Sequence, residues 1–338
     1  MTKILITGAA GFIGFNLINK LLNTDVSIVC IDNFQQNHDF KIKVDRVESI
    51  GYNFQILKDK KEQVLGNSVF IYQDLKEQTQ LDAIFKKHSF DVVIHLAAQT
   101  GVRYSVSHPQ DYIDNNITTF KNILECCKNN NVRKLVFSSS SSVYGLNNKT
   151  PYKEKVNTDC PASFYAVTKK TNELMAYYYS TLYDISYVGL RFFTVYGPWC
   201  RTDMASGIFM KSIIAGEEIN VFNDGDMARD FTYINDITEC IEKVTKKIIQ
   251  HKGTYRKLLN IGNNNSCSLN DFISAIENAL GKKAKIKYQP LQQGDVKNTL
   301  ADVSGLMKFI NFKPATPLND GVHQMVSWYK EYVKLECK

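Results

Sequence analysis

The chain has 338 residues, of which 44% are apolar, and its formal net charge at pH 7 is +7. This size allows one large domain or two unequal domains with substantial cores. The positive charges form no long basic run and no zinc-finger spacing, so we expect no nucleic-acid partner. No segment is long and apolar enough for a transmembrane helix, and the N-terminus lacks the pattern of a secretory signal. We therefore expect no membrane association and a cytoplasmic location.

The cysteines and histidines give no sign of a metal centre. The eight cysteines form no C-x-x-C pair, and in a chain of this size that pattern is typical of reduced cytoplasmic thiols. The histidines show no ligand spacing. We therefore predict no metal site.

Short apolar strands alternate with helical patterns through the first half of the chain. The first strand lies in KILITGA, and Ile13, Leu17 and Leu21 follow it at helical spacing. Five more strands are predicted in VSIVCIDN, SVFIYQDL, DVVIHLAAQ, KLVFSSSSS and ISYVGLRFF, and the helical patterns include NNITTFKNILECCKNN and SFYAVTKKTNELMAYYY. This alternation predicts an α/β fold with a doubly wound parallel sheet of the Rossmann type.

The alternation weakens after Arg191, where glycine, proline and loop residues become more frequent. We therefore expect two domains. A dinucleotide-binding domain is predicted over residues 1–187, joined by a returning segment near 229–258. A smaller C-terminal substrate domain is predicted over residues 188–338.

A glycine-rich turn separates the first strand from its helix. Gly8, Gly11 and Gly14 permit a tight turn and let backbone N–H groups approach a pyrophosphate at the helix N-terminus. The second strand ends in Asp32, where a carboxylate would accept hydrogen bonds from an adenosine ribose. The stretch DNFQQNH contains no Arg or Lys. Because a 2′-phosphate would meet the Asp32 charge with no cation nearby, we predict NAD rather than NADP. A glycine turn required only for packing is the alternative.

Tyr165 and Lys169 form a Y-x-x-x-K pair in a helical segment, and this spacing puts both side chains on one helix face. A nearby ammonium favours the phenolate, so we expect it to lower the pKa of the tyrosine toward the range of a general base. The spacing alone occurs often by chance, and the alternative is an exposed helix face.

Together these motifs resemble the extended branch of the short-chain dehydrogenase/reductases, which acts on nucleotide-activated sugars. The motifs are G-x-x-G-x-x-G, the serine run before Val143-Tyr144-Gly145, Y-x-x-x-K and LRFFTVYGP. Within that branch, GVRYS, SSSSSVYG, RFFTVYGPWCRTDMA, RDFTYINDI and GDVKNTLAD are similar to the UDP-glucuronate 4-epimerases. The resemblance runs from Lys3 to Tyr329 and implies that the second domain binds a nucleotide sugar.

The resemblance implies a reaction carried by three residues. Tyr165, assisted by Ser140, takes the proton of the C4 hydroxyl while the C4 hydride passes to nicotinamide. Lys169 holds the ribose of the cofactor. The 4-keto sugar then turns over and receives the hydride on its other face. Related dehydratases and decarboxylases carry acidic residues where Ser141 and Ser142 stand here, so this sequence keeps the redox chemistry and lacks the elimination machinery.

The predicted sugar is a uronate, most similar to UDP-glucuronate, which is converted to UDP-galacturonate. A 4-keto uronic acid is a β-keto acid, so an epimerase must hold its carboxylate in an orientation that prevents loss of CO₂. Hydroxyls and a fork-shaped cation suit this task. The candidates are Ser141, Ser142, Thr194 and Arg201. For the UDP moiety we expect Arg229 as a bidentate donor to the diphosphate and Asp295 as an acceptor from ribose hydroxyls.

The resemblance also implies full sets of ligand contacts. For NAD these are Gly8, Gly11, Phe12, Ile13, Gly14, Asp32, Asn33, Asp74, Leu75, Ala97, Ala98, Asn116, Tyr165 and Lys169. For the UDP-sugar they are Arg103, Ser140, Ser141, Ser142, Tyr165, Thr194, Arg201, Arg229 and Asp295.

Two other functions stay open from the sequence. One is a 4-epimerase for UDP-glucose or UDP-N-acetylglucosamine, in which Arg201 would lie on phosphate or at the surface. The other is a nucleotide-binding protein that kept the fold and lost turnover. The intact set of Ser140, Tyr165 and Lys169 argues against the second.

Relatives pair through two helices in a four-helix contact, so the resemblance predicts a homodimer through segments 108–129 and 164–180. The apolar residues expected in this contact are Ile117, Phe120, Ile123, Leu124, Leu174, Tyr177 and Tyr178. The alternative is that this surface packs on the protein's own sheet.

Overall fold

The computed structural model describes residues 1–35, 40–146, 149–290, 292 and 296–336. The chain packs as two compact units. The first comprises Met1–Gly145, Asn157–Arg191 and Thr238–Leu259, and the second comprises Leu146–Val156, Phe192–Ile237 and Asn260–Lys338. The predicted binding roles of the two domains stay predictions.

The first unit is built on an eight-stranded sheet. Its strands are β1 (Thr2–Thr7), β2 (Val26–Asp32), β3 (Glu62–Leu65), β4 (Ser68–Tyr72), β5 (Val92–His95), β6 (Lys134–Ser140), β7 (Ser186–Phe192) and β11 (Arg256–Ile261). Their order in the sheet is β11-β7-β6-β5-β1-β2-β4-β3. The six predicted strands are β1, β2, β4, β5, β6 and β7, and the predicted α/β fold class is confirmed.

The strand order reverses at β1, and this reversal defines the functional edge of the sheet. β1 pairs in parallel with β2 on one side and with β5 on the other. β2 also pairs in parallel with β4, and β5 with β6, whereas β3 runs antiparallel to β4. In such sheets, ligands bind outside the carboxyl ends of the strands at the switch point. The turn after Thr7 therefore lies where a dinucleotide binds in this architecture.

Helices and turns link the strands of the first unit. The helices are α1 (Phe12–Leu21), α2 (Phe40–Ser49), α3 (Phe54–Lys60), α4 (Gln78–His88), α5 (Tyr104–Ser107), α6 (Pro109–Tyr112), α7 (Thr119–Asn129), α8 (Phe164–Tyr183) and α10 (Ile234–Gln250), of which residues 238–250 belong to this unit. A π-helical segment, Ile113–Thr118, leads into α7. Ser163 caps α8, since its side chain accepts a hydrogen bond from Ala166 N at 3.2 Å.

The apolar face of α7 packs on the sheet of its own unit. Phe120, Ile123 and Leu124 are fully buried, in one cluster with Val93 and Leu135 of the central strands. The prediction that these three residues face a partner subunit is therefore wrong. A helical apolar stripe has the same pattern whether it covers a sheet or another chain, so the sequence alone could not separate the two cases.

The exposed stripe of the predicted contact lies on α8. Leu174, Tyr177, Tyr178 and Leu182 have more than half of their surface exposed, at 59%, 55%, 58% and 54%. Three of these residues belong to the predicted set. The homodimer itself stays a prediction.

The second unit contains two small sheets. Its strands are β8 (Thr194–Tyr196), β9 (Glu218–Phe222), β10 (Ala228–Tyr233), β12 (Ser266–Ser268) and β13 (Lys285–Gln289), and its helices are α9 (Ala205–Ala215), α11 (Leu269–Leu280), α12 (Ser304–Ile310) and α13 (Leu318–Glu336). The sheets have the orders β12-β10-β8 and β13-β9. The buried Asp230 carboxylate accepts from the backbone N–H groups of Asn263 (2.7 Å) and Ala301 (2.9 Å), which joins three segments of the unit. Among the described helices, none has the length and apolar character needed to cross a bilayer.

Candidate active site

The glycine turn after β1 is shaped by close backbone contacts. Gly8 has a φ of +70°, and a Cβ atom there would lie 2.6 Å from the backbone nitrogen of Ala97. A Cβ atom on Gly14 would lie 2.1 Å from the carbonyl oxygen of Gly8. α1 starts at Phe12 with no side-chain cap and no acid in its first turn. Its first N–H groups and the positive end of its dipole therefore suit a phosphate group.

The carboxylate of Asp32 supports this turn. Its two oxygens accept from the backbone N–H groups of Ala10 (3.0 Å) and Phe34 (2.8 Å), and the residue is 8% exposed. The guanidinium of Arg46, on α2, donates to the carbonyl oxygen of Ala10 at 3.0 Å and is buried. Sequence analysis missed Arg46, because it lies 36 positions from the residue that it contacts and no motif marks it.

The loops after β4 and β5 carry most of the other predicted NAD contacts. Asn33 donates through its amide to the Asp74 carboxylate at 3.1 Å. Asn116 lies in the π-helical segment and is fully buried. Its side chain accepts from Gln99 N at 2.7 Å and donates to Thr168 Oγ1 at 3.0 Å. Asn116 therefore joins the loop after β5, which contains Ala97 and Ala98, to helix α8.

Lys169 is buried against the end of β6. Its ammonium group donates to the Ser138 carbonyl at 2.8 Å and to Ser138 Oγ at 3.1 Å, and the residue is 1% exposed. Burial lowers the pKa of Lys169 to about 7, while the charge of Glu173 acts in the opposite direction. The Lys169 nitrogen lies 5.9 Å from the centre of the Tyr165 ring, so the predicted pair shares one end of the helix.

The serine turn, Ser140–Tyr144, follows β6 directly. Ser140 caps a 3-10 turn over Ser141–Tyr144, and its Oγ accepts from Ser142 N at 3.1 Å and from Ser142 Oγ at 2.9 Å. A hydroxyl that accepts two hydrogen bonds has its own proton left to donate. Ser140 is therefore prepared as a hydrogen-bond donor to an oxygen of a ligand. Ser141 and Ser142 add two half-buried hydroxyls and no carboxyl group.

The remaining predicted substrate residues are placed as follows. Arg103 is exposed and precedes α5. Thr194 is half-buried in β8. The Arg201 guanidinium holds the Asp203 carboxylate in a fork, with Nε–Oδ1 at 2.9 Å and Nη2–Oδ2 at 2.5 Å. Arg229 donates to the carbonyl oxygen of Lys297 at 2.8 Å. Asp295 lies outside the described residues.

The parallel sheet with its switch point at β1 and the glycine turn are typical of a dinucleotide-binding fold. Comparison with known proteins gives the family. A model of the NAD dependent epimerase/dehydratase family matches residues 4–262, and the chain belongs to that family. It is an enzyme of the UDP-sugar 4-epimerase family. The predicted enzyme class and the predicted NAD cofactor are thereby confirmed.

Relatives cover almost the whole chain. Protein CapI of Staphylococcus aureus is 45% identical, covering 98% of this chain and 99% of that protein. UDP-glucuronate 4-epimerase 2 of Arabidopsis thaliana is 40% identical, covering 98% of this chain and 76% of that protein.

Solved structures cover 98% of this chain as well. The UDP-glucuronic acid 4-epimerase of Bacillus cereus, in complex with UDP-glucuronic acid and NAD, is 33% identical with a TM-score of 0.86 and is covered over 100% of its chain. A UDP-N-acetylglucosamine 4-epimerase of Methanobrevibacter ruminantium is 30% identical with a TM-score of 0.83 and is covered over 99%. Because 4-epimerases of different UDP-sugars match this well, the sugar has to be argued from the residues.

Proposed function

We propose that this protein interconverts UDP-glucuronate and UDP-galacturonate by epimerisation at C4 of the sugar. The observation that carries the proposal is the fork of Arg201 on the Asp203 carboxylate. The Nε–Nη2 edge of this guanidinium already grips the Asp203 carboxylate with two parallel hydrogen bonds, and this supports a matching grip on the carboxylate of a substrate. Of the three sugars considered, only a uronate carries such a group.

The glycine turn and the supporting Asp32 carboxylate fit NAD. The absence of a side chain at Gly8 lets the glycine turn approach the Ala97 backbone, and the start of α1 supplies N–H groups for a pyrophosphate. When bound, NAD supplies a reversible acceptor for the C4 hydride.

The protons are moved by the chain's own residues. Tyr165, as phenolate, accepts the proton of the C4 hydroxyl, and Ser140 donates a hydrogen bond to the same oxygen. The ammonium of Lys169, held by Ser138, favours the phenolate by its charge. The C4–H bond breaks as a C4=O bond forms. The steps then reverse on the other face of the sugar: hydride returns to C4 and Tyr165 returns the proton, so no net oxidation remains.

The serine turn carries hydroxyl groups and no carboxyl group, and this supports a 4-keto intermediate that is reduced again rather than dehydrated. Neither Ser141 nor Ser142 can act as a carboxylic acid or a carboxylate base, so the turn offers no group for eliminating water. Hydroxyls can still hold a substrate carboxylate by donating hydrogen bonds. We assign this role to Ser141, Ser142, Thr194 and Arg201. Arg229 and Asp295 are assigned to the UDP moiety.

A panel of UDP-sugars tests the proposal. The purified protein is incubated separately with UDP-glucuronate, UDP-glucose and UDP-N-acetylglucosamine, and the products are separated by chromatography. We expect UDP-galacturonate from the first and little product from the other two. Epimerisation of a neutral sugar without turnover of UDP-glucuronate would show the alternative epimerase, and no turnover of any sugar would show the silent nucleotide-binding protein.

We also propose a homodimer formed through the exposed stripe of α8. Leu174, Tyr177, Tyr178 and Leu182 line one side of a 20-residue helix and are each more than half exposed. Large apolar and aromatic side chains in such a continuous patch are typical of a subunit contact.

A further inference from the structure

A buried ion pair lies next to the site and has no part in the mechanism above. Glu173 and Arg191 form two parallel hydrogen bonds, Nε–Oε1 and Nη2–Oε2, both at 2.8 Å. Their side chains are 3% and 2% exposed. Glu173 lies on α8, and Arg191 lies on β7.

The pair contacts both ends of the segment that contains the three proposed substrate hydroxyls. Ser139, immediately before Ser140, donates through Oγ to Glu173 Oε1 at 2.6 Å. Arg191 donates to the hydroxyl of Tyr144, the last residue of the serine turn, at 3.1 Å, and its guanidinium carbon lies 5.0 Å from the centre of that ring. One ion pair therefore holds both Ser139, the residue before the serine turn, and Tyr144, the last residue of the turn.

The same pair is joined to the helix that carries the proposed base. Tyr165, Lys169 and Glu173 follow each other at intervals of four residues, so they share one helix face. Lys169 holds β6 at Ser138, and Glu173 holds it at Ser139. Two successive turns of α8 are thus attached to two successive residues of the strand that leads into the serine turn.

Stability alone does not account for an ion pair in this place. Removing two charges from water costs several kcal/mol per ion, and apolar residues of similar volume often stabilise such a site equally well or better. The Glu173 carboxylate accepts hydrogen bonds from Arg191 and from Ser139. The Arg191 guanidinium also donates to the Tyr144 hydroxyl, outside the pair. Such a network has one low-energy geometry, because any displacement leaves a buried charge without its partner.

We propose that Glu173 and Arg191 are positioning residues of the reaction. Together they fix the serine turn relative to Tyr165, and the negative charge of Glu173 keeps the Lys169 side chain in its protonated, ammonium form. The inference rests on the proposed tyrosine-base mechanism and is independent of which UDP-sugar is the substrate.

The charges around Lys169 support the second part of this role. From β6 it meets only the neutral Ser138. From β5 it faces His95, which is neutral because burial lowers its pKa to about 3, with the Lys169 charge acting in the same direction. From its own helix it faces Tyr165 and Glu173, and the Arg191 charge is compensated by Glu173. Glu173 is thus the acidic group that opposes the loss of the Lys169 proton.

Glu173→Gln tests the role of the charge. Glutamine keeps the size, and its oxygen can still accept from Ser139, whereas the negative charge and one of the two hydrogen bonds from Arg191 are lost. The Lys169 pKa then falls further, and the ammonium is lost at lower pH. We expect the alkaline limb of kcat to move down by about one pH unit, which is about a tenfold loss of kcat above it, with KM changed by less than about twofold.

The control is Glu277→Gln. Glu277 is also a buried helical glutamate with a lysine partner, Lys283 at 2.7 Å, but it lies in the second unit. It should lose stability without a shift of the pH profile. If kcat has the same pH dependence in Glu173→Gln as in wild type, the charge role of Glu173 is overturned. All assays use the UDP-sugar that the wild-type enzyme turns over best, so an error in the proposed sugar leaves this test intact.

Ser139→Ala and Tyr144→Phe test the positioning role, and they decide the inference if Glu173→Gln does not fold. Each removes one hydrogen bond to the pair and keeps both charges. We expect kcat to fall about three- to tenfold in each, with KM and the pH limbs unchanged. Wild-type kcat in both variants would overturn the positioning role, whereas full turnover in Tyr165→Phe would instead overturn the proposed base.

Discussion

Two arginine–carboxylate forks of the same geometry lie in different surroundings, one in each unit. Glu173 and Arg191 are 18 positions apart and at most 3% exposed. Arg201 and Asp203 are two positions apart, with 18% and 30% of their side chains exposed. A buried pair cannot exchange partners without leaving an unpaired charge, whereas an accessible pair can accept another carboxylate at little cost. The first therefore suits a fixed framework, and the second suits recognition of an anionic ligand.

The largest expected effect is a loss of turnover when Tyr165 is changed, because this residue lies on the helix that the buried fork holds. Tyr165→Phe removes the hydroxyl that exchanges a proton with the C4 oxygen and leaves the ring packed near Tyr112, with centroids 6.0 Å apart. We expect turnover to fall by about 10²- to 10⁴-fold, with NAD content and the circular dichroism spectrum unchanged. Turnover close to that of wild type would show that Tyr165 is not the base and that the Glu173–Arg191 pair positions another residue.

The stability of single-site variants should separate the two forks directly. Arg191→Ala leaves the Glu173 charge buried, so we expect a loss of about 3–5 kcal/mol in the free energy of unfolding. Asp203→Ala removes one partner of an accessible pair and should cost less than about 1 kcal/mol. Urea denaturation of both variants measures the difference. Equal losses would mean that burial does not distinguish the forks.

The accessible fork should act on substrate choice. Arg201→Ala should weaken binding of UDP-glucuronate about 10- to 100-fold, the equivalent of one charge-assisted hydrogen bond, and should change binding of UDP-glucose much less. Titration calorimetry with both nucleotides gives the comparison. A pentose by-product in this variant would further indicate that control of the carboxylate had been lost. Equal losses for both nucleotides would place Arg201 on the shared UDP moiety.

Sequence separation explains which of these features could be predicted. The glycine turn, the serine run and the Tyr165–Lys169 pair are contiguous or one helical turn apart, so a motif contains them. The contact between Glu173 and Arg191 forms only when β7 takes its place in the sheet. The motif LRFFTVYGP contains Arg191, but it does not identify Glu173 as its partner. The short strand β3 was missed because EQVL shows neither a continuous apolar run nor alternation.

The smallest expected effect concerns assembly rather than chemistry. Leu174→Glu together with Tyr178→Glu places two charges in the exposed stripe of α8 and should convert a dimer to a monomer in light scattering at micromolar concentration. The control Tyr288→Glu changes a side chain of the second unit with a similar exposed fraction, 54%, and should leave the mass unchanged. A monomeric wild-type protein would exclude the proposed contact.

The central claim is that one hydride leaves C4 of a uronate and returns to the same carbon. UDP-glucuronate labelled with deuterium at C4 tests it most directly, with the product analysed by nuclear magnetic resonance and mass spectrometry. The account predicts UDP-galacturonate that retains the deuterium at C4, formed in unlabelled water without added NAD. Loss of the label to solvent, or no epimer from this substrate while UDP-glucose is epimerised, would contradict it.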